Sequence, residues 1–168
     1  MVKPQLRHAR DDMRHAIAVA LIFGLAVVLP AQGRDFSGRW TIDVDKTAAA
    51  NPKTDAWLPA SHDLTISMDA KTISVLSTTR GGLVKNTYNL DGSESKNTSA
   101  VSVGPGGHEP PAVVSTAKWQ ADVLVVTTKL FSTNATEKYS LDGTSLRFEF
   151  SNPQMNPSSW IIIYKRAQ

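Results

Sequence analysis

Few side chains in this 168-residue chain combine the types and the spacing that acid–base or metal chemistry requires. The chain has four histidines and no cysteine, and only His62 and His108 lie beyond residue 33. His62 precedes Asp63 at the start of an apolar run, where a surface turn explains both residues. His108 and Glu109 supply two possible ligands, whereas zinc needs three or four converging groups. We therefore expect no metal site and no cofactor.

Two carboxylates, Asp43 and Asp45, have the spacing of a paired acid–base site. On a β-strand, residues two apart project from the same face about 6.5 Å from each other. The surrounding pattern places Trp40, Ile42 and Val44 on one face of that strand and both aspartates on the other. A solvated outer face accounts for the aspartates. We predict that the protein is not an enzyme, and an isomerase-like or hydrolytic activity is the third hypothesis.

Two segments without alternating patterns interrupt the chain. Residues 46–60 are rich in alanine and proline and fit a short helix or a lid. Residues 104–111 contain three glycines, three prolines and one histidine, between two apolar runs. Loops that cradle phosphate lie between a strand and a helix, so we expect a rim or cover and not a phosphate site.

Alternation of apolar and polar side chains is the dominant pattern after residue 36. Leu64, Ile66 and Met68, for example, alternate with hydroxyl residues, which indicates a strand with one buried face. Turn signals such as Asp91-Gly92 recur at roughly ten-residue spacing, which is typical of an antiparallel meander. The pattern predicts an all-β, antiparallel, up-and-down meander of nine or ten strands with no long helix.

The two halves of this meander resemble each other. Tyr88 to Ser93 reads Tyr-Asn-Leu-Asp-Gly-Ser, and Tyr139 to Thr144 reads Tyr-Ser-Leu-Asp-Gly-Thr. A Thr-Thr-basic triplet precedes each of them. We interpret this as a repeated four-strand unit with one extra strand at each end. Chance reuse of Asp-Gly turns is the alternative.

Residues 1–33 have the order of a secretory signal. Four basic residues in the first 15 precede an uncharged run from Ala16 to Leu29, and the small residues Ala31 and Gly33 follow. A helix of that run rises about 21 Å, short of the roughly 30 Å hydrocarbon core, which favours cleavage over a permanent anchor. We predict a signal peptide at 1–33, a single domain at 34–168, and export to the periplasm or the cell exterior.

The net charge of residues 34–168 does not indicate a nucleic acid or membrane partner. Without residues 1–33, 14 basic and 13 acidic side chains remain, a net charge of +1. Electrostatic attraction to nucleic acid or to a membrane surface needs a larger positive excess. We therefore expect no nucleic acid partner and no stable membrane insertion after cleavage. The absence of cysteine in an exported β domain fits a bacterial envelope protein.

Both ends of the predicted domain carry aromatic and basic residues. Phe-Ser-Gly-Arg-Trp at residues 36–40 opens it, and Tyr-Lys-Arg at 164–166 nearly closes it. The Gly-x-Trp start resembles that of lipocalin-like (calycin-type) barrels, and the longer pattern is similar to exported bacterial lipocalin-like proteins of unsettled function. In that resemblance a late basic residue covers the tryptophan through cation–π attraction. Arg166 or Lys165 is available for that role, and we expect Gly38, Trp40 and Arg166 to close the barrel.

Fatty-acid-binding proteins are a related resemblance from which this chain departs. They bind a carboxylate through an Arg-x-Tyr pair on the last strand, and the matching positions here are Ile162 and Tyr164. The tyrosine is present and the arginine is not. We therefore expect no anionic head group at that position, and a ligand held largely by apolar contact. The resemblance suggests Trp119, Tyr139 and Tyr164 as lining residues.

The function that best fits these patterns is non-catalytic binding. We predict an exported, monomeric, lipocalin-like barrel that holds a small apolar or amphipathic molecule. The alternative is an envelope barrel or sandwich with a solid core that acts through protein–protein contacts at its loops. The volume left inside the barrel separates the two.

Overall fold

The computed structural model describes residues 34–52, 63–79, 82–98, 112–130 and 132–168, all within one compact unit, Gly33–Gln168. The predicted signal peptide at 1–33, the histidines His62 and His108, and the segment 104–111 lie outside these ranges. Within them lie ten strands and one helix, in the following order. They are β1 (Gly38–Ile42), α1 (Val44–Ala50), β2 (Leu64–Met68), β3 (Thr72–Thr79), β4 (Gly82–Asn89), β5 (Glu94–Thr98), β6 (Ala112–Gln120), β7 (Val123–Leu130), β8 (Thr133–Asp142), β9 (Ser145–Ser151) and β10 (Ser159–Arg166). Among the described residues, no helix is long and apolar enough to cross a membrane.

The ten strands form one antiparallel sheet in the order β4-β3-β2-β1-β10-β9-β8-β7-β6-β5. Strand β1 pairs with β10, and the register sets Trp40 opposite Arg166 and Ile42 opposite Tyr164. The predicted all-β meander, with its first and last strands in contact, is therefore confirmed. The sheet curls into a nearly closed barrel whose two edges are the consecutive strands β4 and β5.

Period-two alternation explains why these segments are strands with one face inside the barrel. In β7, Leu124 and Val126 are fully buried while their neighbours are partly accessible. Directly paired residues on neighbouring strands project to the same side of a sheet. The partner of an inward-facing residue therefore also faces inward. Val126 thus pairs with Glu137 on β8, and Glu137 pairs with Phe150 on β9. The core lies on this inward face.

Strand β1 is shorter than the alternating pattern predicts. The expectation that Asp43 and Asp45 lie on one strand face was wrong, because β1 ends at Ile42 and Asp43 caps α1. The Asp43 carboxylate accepts a hydrogen bond from the backbone N–H of Lys46 at 3.2 Å, as N-cap residues do. Alanine-rich residues then favour a helix. The two aspartates are therefore a cap and a first-turn residue.

Helix α1 takes the place of a strand along the free part of β10. Asn51 accepts from Ile161 N–H at 3.0 Å and donates to Ile161 C=O at 2.7 Å. Thr47 makes the same two-way contact with Ile163, at 3.0 and 3.2 Å. Residues four apart on a helix and two apart on a strand are both separated by about 6–7 Å. One helix face can thus satisfy the backbone of a strand edge.

The remaining gap, between β4 and β5, is bridged by side chains. The Asp91-Gly92 turn predicts an ordinary hairpin, but no backbone ladder joins the described residues of these two strands. Instead, Asn97 accepts from Thr87 N–H at 2.7 Å and donates to Thr87 C=O at 3.1 Å. Ser95 accepts from Asn89 N–H at 2.8 Å. Two residues on β5 therefore close the barrel where the sheet does not.

Candidate functional site

A carboxylate lies on the inward face of the barrel. Glu137 occupies β8 between Ala135 and Tyr139, which are both buried, and its cross-strand neighbours Val126 and Phe150 share its face. An unpaired charge is costly in such surroundings. The residues around Glu137 therefore determine what this interior can hold.

Two tyrosines from different halves of the chain bond the same carboxylate oxygen. Tyr139 donates to Glu137 Oε2 at 2.8 Å, and Tyr88, on β4, donates to it at 3.3 Å. Both rings are almost fully buried, at 3 % and 2 % exposure. Among the described residues, no hydrogen bond reaches the other oxygen, Oε1. Within the described ranges, Oε1 is therefore an acceptor without a donor.

The electrostatics of this cluster follow from its burial. Burial raises the pKa of Glu137, and the hydrogen bonds from Tyr139 and Tyr88 offset part of that rise. Burial also raises the pKa of Tyr88 and of Tyr139, and the nearby Glu137 carboxylate raises both further. The two phenols therefore remain protonated donors at any physiological pH.

Glu137 is an inward-facing side chain that is surrounded by protein and still partly accessible. Protein atoms surround its carboxylate closely enough for burial to dominate its pKa, yet part of its side chain stays accessible. Other inward-facing positions on this part of the barrel, Val84 and Asn86 on β4 and Thr128 on β7, are also only partly buried. Side chains on this part of the inward face are therefore not fully covered by the described residues.

Asn86 adds a second acceptor to the same region. It lies two residues before Tyr88, and its side chain interacts with the Tyr88 hydroxyl, lowering that phenol's pKa against the larger effect of burial. Its Oδ1 atom is buried and accepts no hydrogen bond in the part of the chain that the structure describes. A buried unpaired acceptor costs roughly 1–3 kcal/mol, so this atom calls for a donor.

The recurring Tyr-x-Leu-Asp-Gly motif relates these four residues in pairs. Asn86 stands two positions before Tyr88 on β4, and Glu137 stands two positions before Tyr139 on β8. Each tyrosine then leads to an Asp-Gly turn in which the glycine has a positive φ, 84° at Gly92 and 59° at Gly143. We call these four residues, Asn86, Tyr88, Glu137 and Tyr139, the interior polar cluster. Each half of the meander supplies one acceptor and one phenol.

The end of the barrel where β1 begins and β10 ends is closed by a plug, which we define as Phe36, Trp40 and Arg166. The Arg166 guanidinium carbon lies 4.4 Å from the Trp40 ring centroid, and Arg166 Nη1 donates to Ser37 C=O at 2.6 Å. Trp40 Nε1 donates to Phe36 C=O at 2.9 Å. Gly38 has a φ of 133°, and a Cβ there would overlap Arg166 Nη1. The structure thus brings together Gly38, Trp40 and Arg166, the three residues expected to close the barrel.

The expected lining residues occupy different parts of the interior. The Trp119 ring packs 5.5 Å from the Phe36 ring, which places it beside the plug. Tyr139 belongs to the interior polar cluster. Tyr164 is 2 % exposed and lies beside Ile162, also buried, on β10. Burial raises the Tyr164 pKa, and the Glu137 carboxylate adds to that rise.

Sequence reasoning missed Glu137 and Asn86. A signal for both was present, because each lies two residues before a tyrosine of the recurring motif and so projects from the same strand face. Tyr139 was expected to face inward. No group of three or more metal-ligating side chains occurs among the described residues. The chemistry of this interior is therefore hydrogen bonding within an apolar space.

The outer surface carries a separate concavity. It measures about 210 Å³ and lies over the outer faces of β1 to β4, where Arg39, Thr65, Leu76 and Leu83 line it. Leu83 is 69 % exposed.

Comparison with known proteins gives a fold and no family. No protein-family model matches the chain and no curated protein matches its sequence. Among solved structures, the REP1-NXSQ fatty acid transporter aligns with a TM-score of 0.56 at 14% identity, over 79% of this chain and 96% of its own. A mutant of the fluorescent protein UnaG aligns with a TM-score of 0.57 at 17% identity, over 79% and 96%.

The chain folds as a lipocalin-like barrel. At these identities the likeness concerns the fold. Specificity in such barrels depends on the few polar side chains inside. In this barrel, the interior polar cluster supplies polar side chains on the inward face.

Proposed function

We propose that this protein binds a small apolar or amphipathic molecule inside its barrel, without catalysis. The observation that carries the proposal is the partial accessibility of Glu137, an inward-facing carboxylate surrounded by protein. Apolar side chains with a few convergent polar groups are the usual make-up of a small-molecule pocket. The structural likeness to a protein described as a fatty acid transporter supports the same class of function.

The proposal extends to export and oligomeric state. Residues 1–33 act as a secretory signal, and the barrel works as a monomer in the periplasm or outside a bacterial cell. The support is the order of basic, apolar and small residues before Arg34. Amino-terminal sequencing of the protein purified from its own host should then begin close to Arg34, and recovery of intact residues 1–33 would contradict export with cleavage.

Native mass spectrometry of the protein purified from its host tests the binding proposal. We expect a second species whose added mass corresponds to one small molecule per chain. Collisional activation should release that molecule and return the mass of the bare chain. A bare chain only, with the interior filled by side chains, would instead support the alternative that the protein acts through contacts at its loops.

A matched pair of variants on β4 locates the bound molecule. Val84 faces inward and is partly accessible, whereas its neighbour Lys85 faces outward and is exposed. Val84→Trp should fill the barrel interior and abolish the added mass. Lys85→Trp adds the same ring outside and should leave it unchanged. Loss of the bound molecule in both variants, or in neither, would contradict an interior site.

A further inference from the structure

The interior polar cluster holds an excess of hydrogen-bond acceptors. Glu137 Oε2 accepts from two phenols, whereas no described residue donates to Glu137 Oε1 or to Asn86 Oδ1. The two phenolic protons of Tyr88 and Tyr139 are already committed to Oε2. A ligand in this space therefore meets two acceptors to which no described residue donates, and one of them, Asn86 Oδ1, is buried.

Basic side chains do not balance this cluster. On the described strands, every lysine and arginine except Arg166 lies at an outward-facing position. Arg166 is exposed and covers Trp40 at the plugged end. On β10, Ile162 is buried and apolar. A carboxylate placed beside Glu137 would meet a second acid and no cation, which is unfavourable.

From these two observations we propose that the bound molecule presents a hydrogen-bond-donating head to Glu137 and Asn86, and that an ammonium group on an apolar tail is its best-suited form. The inference rests on the proposed binding function and narrows its ligand class. The ammonium donates to Glu137 Oε1 and to Asn86 Oδ1, while the tail lies against inward apolar residues such as Phe148 and Phe150. A fatty acid of the same length is disfavoured.

The geometry of the cluster supports a head group that contacts both acceptors. The Tyr88 hydroxyl interacts with the Asn86 side-chain amide and donates to Glu137, so the Asn86 and Glu137 side chains lie beside the same phenol. An ammonium has three donors and no acceptor, which suits a site where two acceptors receive no hydrogen bond from the described residues. A hydroxyl head can donate once and is expected to bind more weakly.

Isothermal titration of the purified, delipidated protein with dodecylammonium, dodecanol and dodecanoate tests the inference at a single tail length. We expect dodecylammonium to bind at least about tenfold more tightly than dodecanoate, as loss of one charge-assisted hydrogen bond implies. Dodecanol should fall between them. This comparison uses the unaltered protein and does not depend on the folding of any variant.

Two glutamate variants assign the preference to the interior. Glu137→Gln should reduce the ratio of dodecylammonium to dodecanoate affinity to near unity. Glu149→Gln removes a carboxylate from the outward face of β9, where it pairs with Arg147 at 2.7 Å, and should leave the ratio unchanged. An equal ratio in unaltered protein and Glu137→Gln would overturn the inference.

The possible results separate the inference from the function on which it rests. If dodecanoate binds as tightly as dodecylammonium and Val84→Trp abolishes its binding, the barrel binds ligands but the head-group inference is wrong. If none of the three compounds binds, both proposals fail for single-chain amphiphiles. A preference for dodecylammonium that Glu137→Gln removes supports both.

Discussion

Tyr88 on β4 donates a 3.3 Å hydrogen bond to Glu137 on β8, across the interior of the barrel. This bond joins the two halves of the repeated meander through side chains alone. Tyr139, the counterpart of Tyr88 in the second half, donates to the same oxygen at 2.8 Å. The interior polar cluster therefore contains residues from both halves of the chain.

Replacing Tyr139 by Phe should destabilise the protein through this cluster. The change removes the shorter hydrogen bond to Glu137 and leaves a buried carboxyl group with one phenolic donor. We expect the free energy of unfolding to fall by about 1–2 kcal/mol, as measured by urea denaturation. Tyr164→Phe is the control, since no described residue accepts a hydrogen bond from its hydroxyl. An equal loss in both variants would show that the bond to Glu137 contributes little.

The raised pKa of Glu137 makes a prediction about pH. Its pKa lies above the ordinary value of 4.5 in the folded protein, so folding favours the protonated form. Stability from this group is therefore greatest below about pH 4 and is lost as pH rises through the folded pKa. Glu137→Gln cannot ionise, so its stability relative to the unaltered protein should increase with pH.

The measurement is the difference in unfolding free energy between Glu137→Gln and the unaltered protein, from about pH 4 to about pH 8. The difference should grow by about 1.4 kcal/mol for each unit by which folding raises the pKa. Asp69, whose pKa hydrogen bonds from Lys71 and Thr72 lower, loses its contribution as pH falls, and it cancels because both proteins share it. A difference that stays constant with pH would contradict the raised pKa.

Asn97 should be more important to the barrel than its place on an edge strand suggests. Asn97→Ala removes both hydrogen bonds to the Thr87 backbone and opens the gap between β4 and β5. We expect a loss of about 1–3 kcal/mol in unfolding free energy and faster hydrogen exchange at the Thr87 amide. Lys96→Ala, an exposed neighbour on the same strand, should change neither. Unchanged Thr87 exchange in Asn97→Ala would show that the gap is closed by other means.

Gly38 and Gly143 test the plug of the barrel as a matched pair. Both have a positive φ, but a Cβ on Gly143 meets nothing within 4 Å, whereas one on Gly38 overlaps Arg166. Gly143→Ala should cost only its backbone strain, about 1–2 kcal/mol. Gly38→Ala should cost more and alter Trp40 fluorescence, because Arg166 must leave the indole face. Equal costs with unchanged fluorescence would mean that Arg166 moves aside freely.

Much of this fold is predictable from local pattern, and its exceptions have identifiable causes. Alternation identifies strands such as Leu64–Met68 directly. The same alternation continues past the true end of β1, because Asp43 and Val44 fit a strand as well as a helix start. Only the helix contacts with Ile163, more than 100 residues away, distinguish the two.

The interior polar cluster was harder to predict than the barrel. Inward positions are identified in a sequence by apolar side chains that alternate with polar ones. An inward-facing glutamate such as Glu137 breaks that alternation and is therefore assigned to the outer face. Its parity with Tyr139 places Glu137 inside, but its second partner, Tyr88, lies 49 residues away in the chain. The pairing becomes visible only when the sheet curls and brings β4 and β8 to face each other.

Binding inside the barrel is tested most directly at the Glu137 carboxyl group. We propose carbon-13 NMR of that carbon during titration of the purified protein with dodecylammonium, with the Glu149 carboxyl and the Leu83 methyl groups as outer references. The Glu137 signal should shift and saturate at one ligand per chain, while the signals of Glu149 and Leu83 stay constant. An unchanged Glu137 signal together with shifted Leu83 methyl signals would place the ligand on the outer surface and contradict the account.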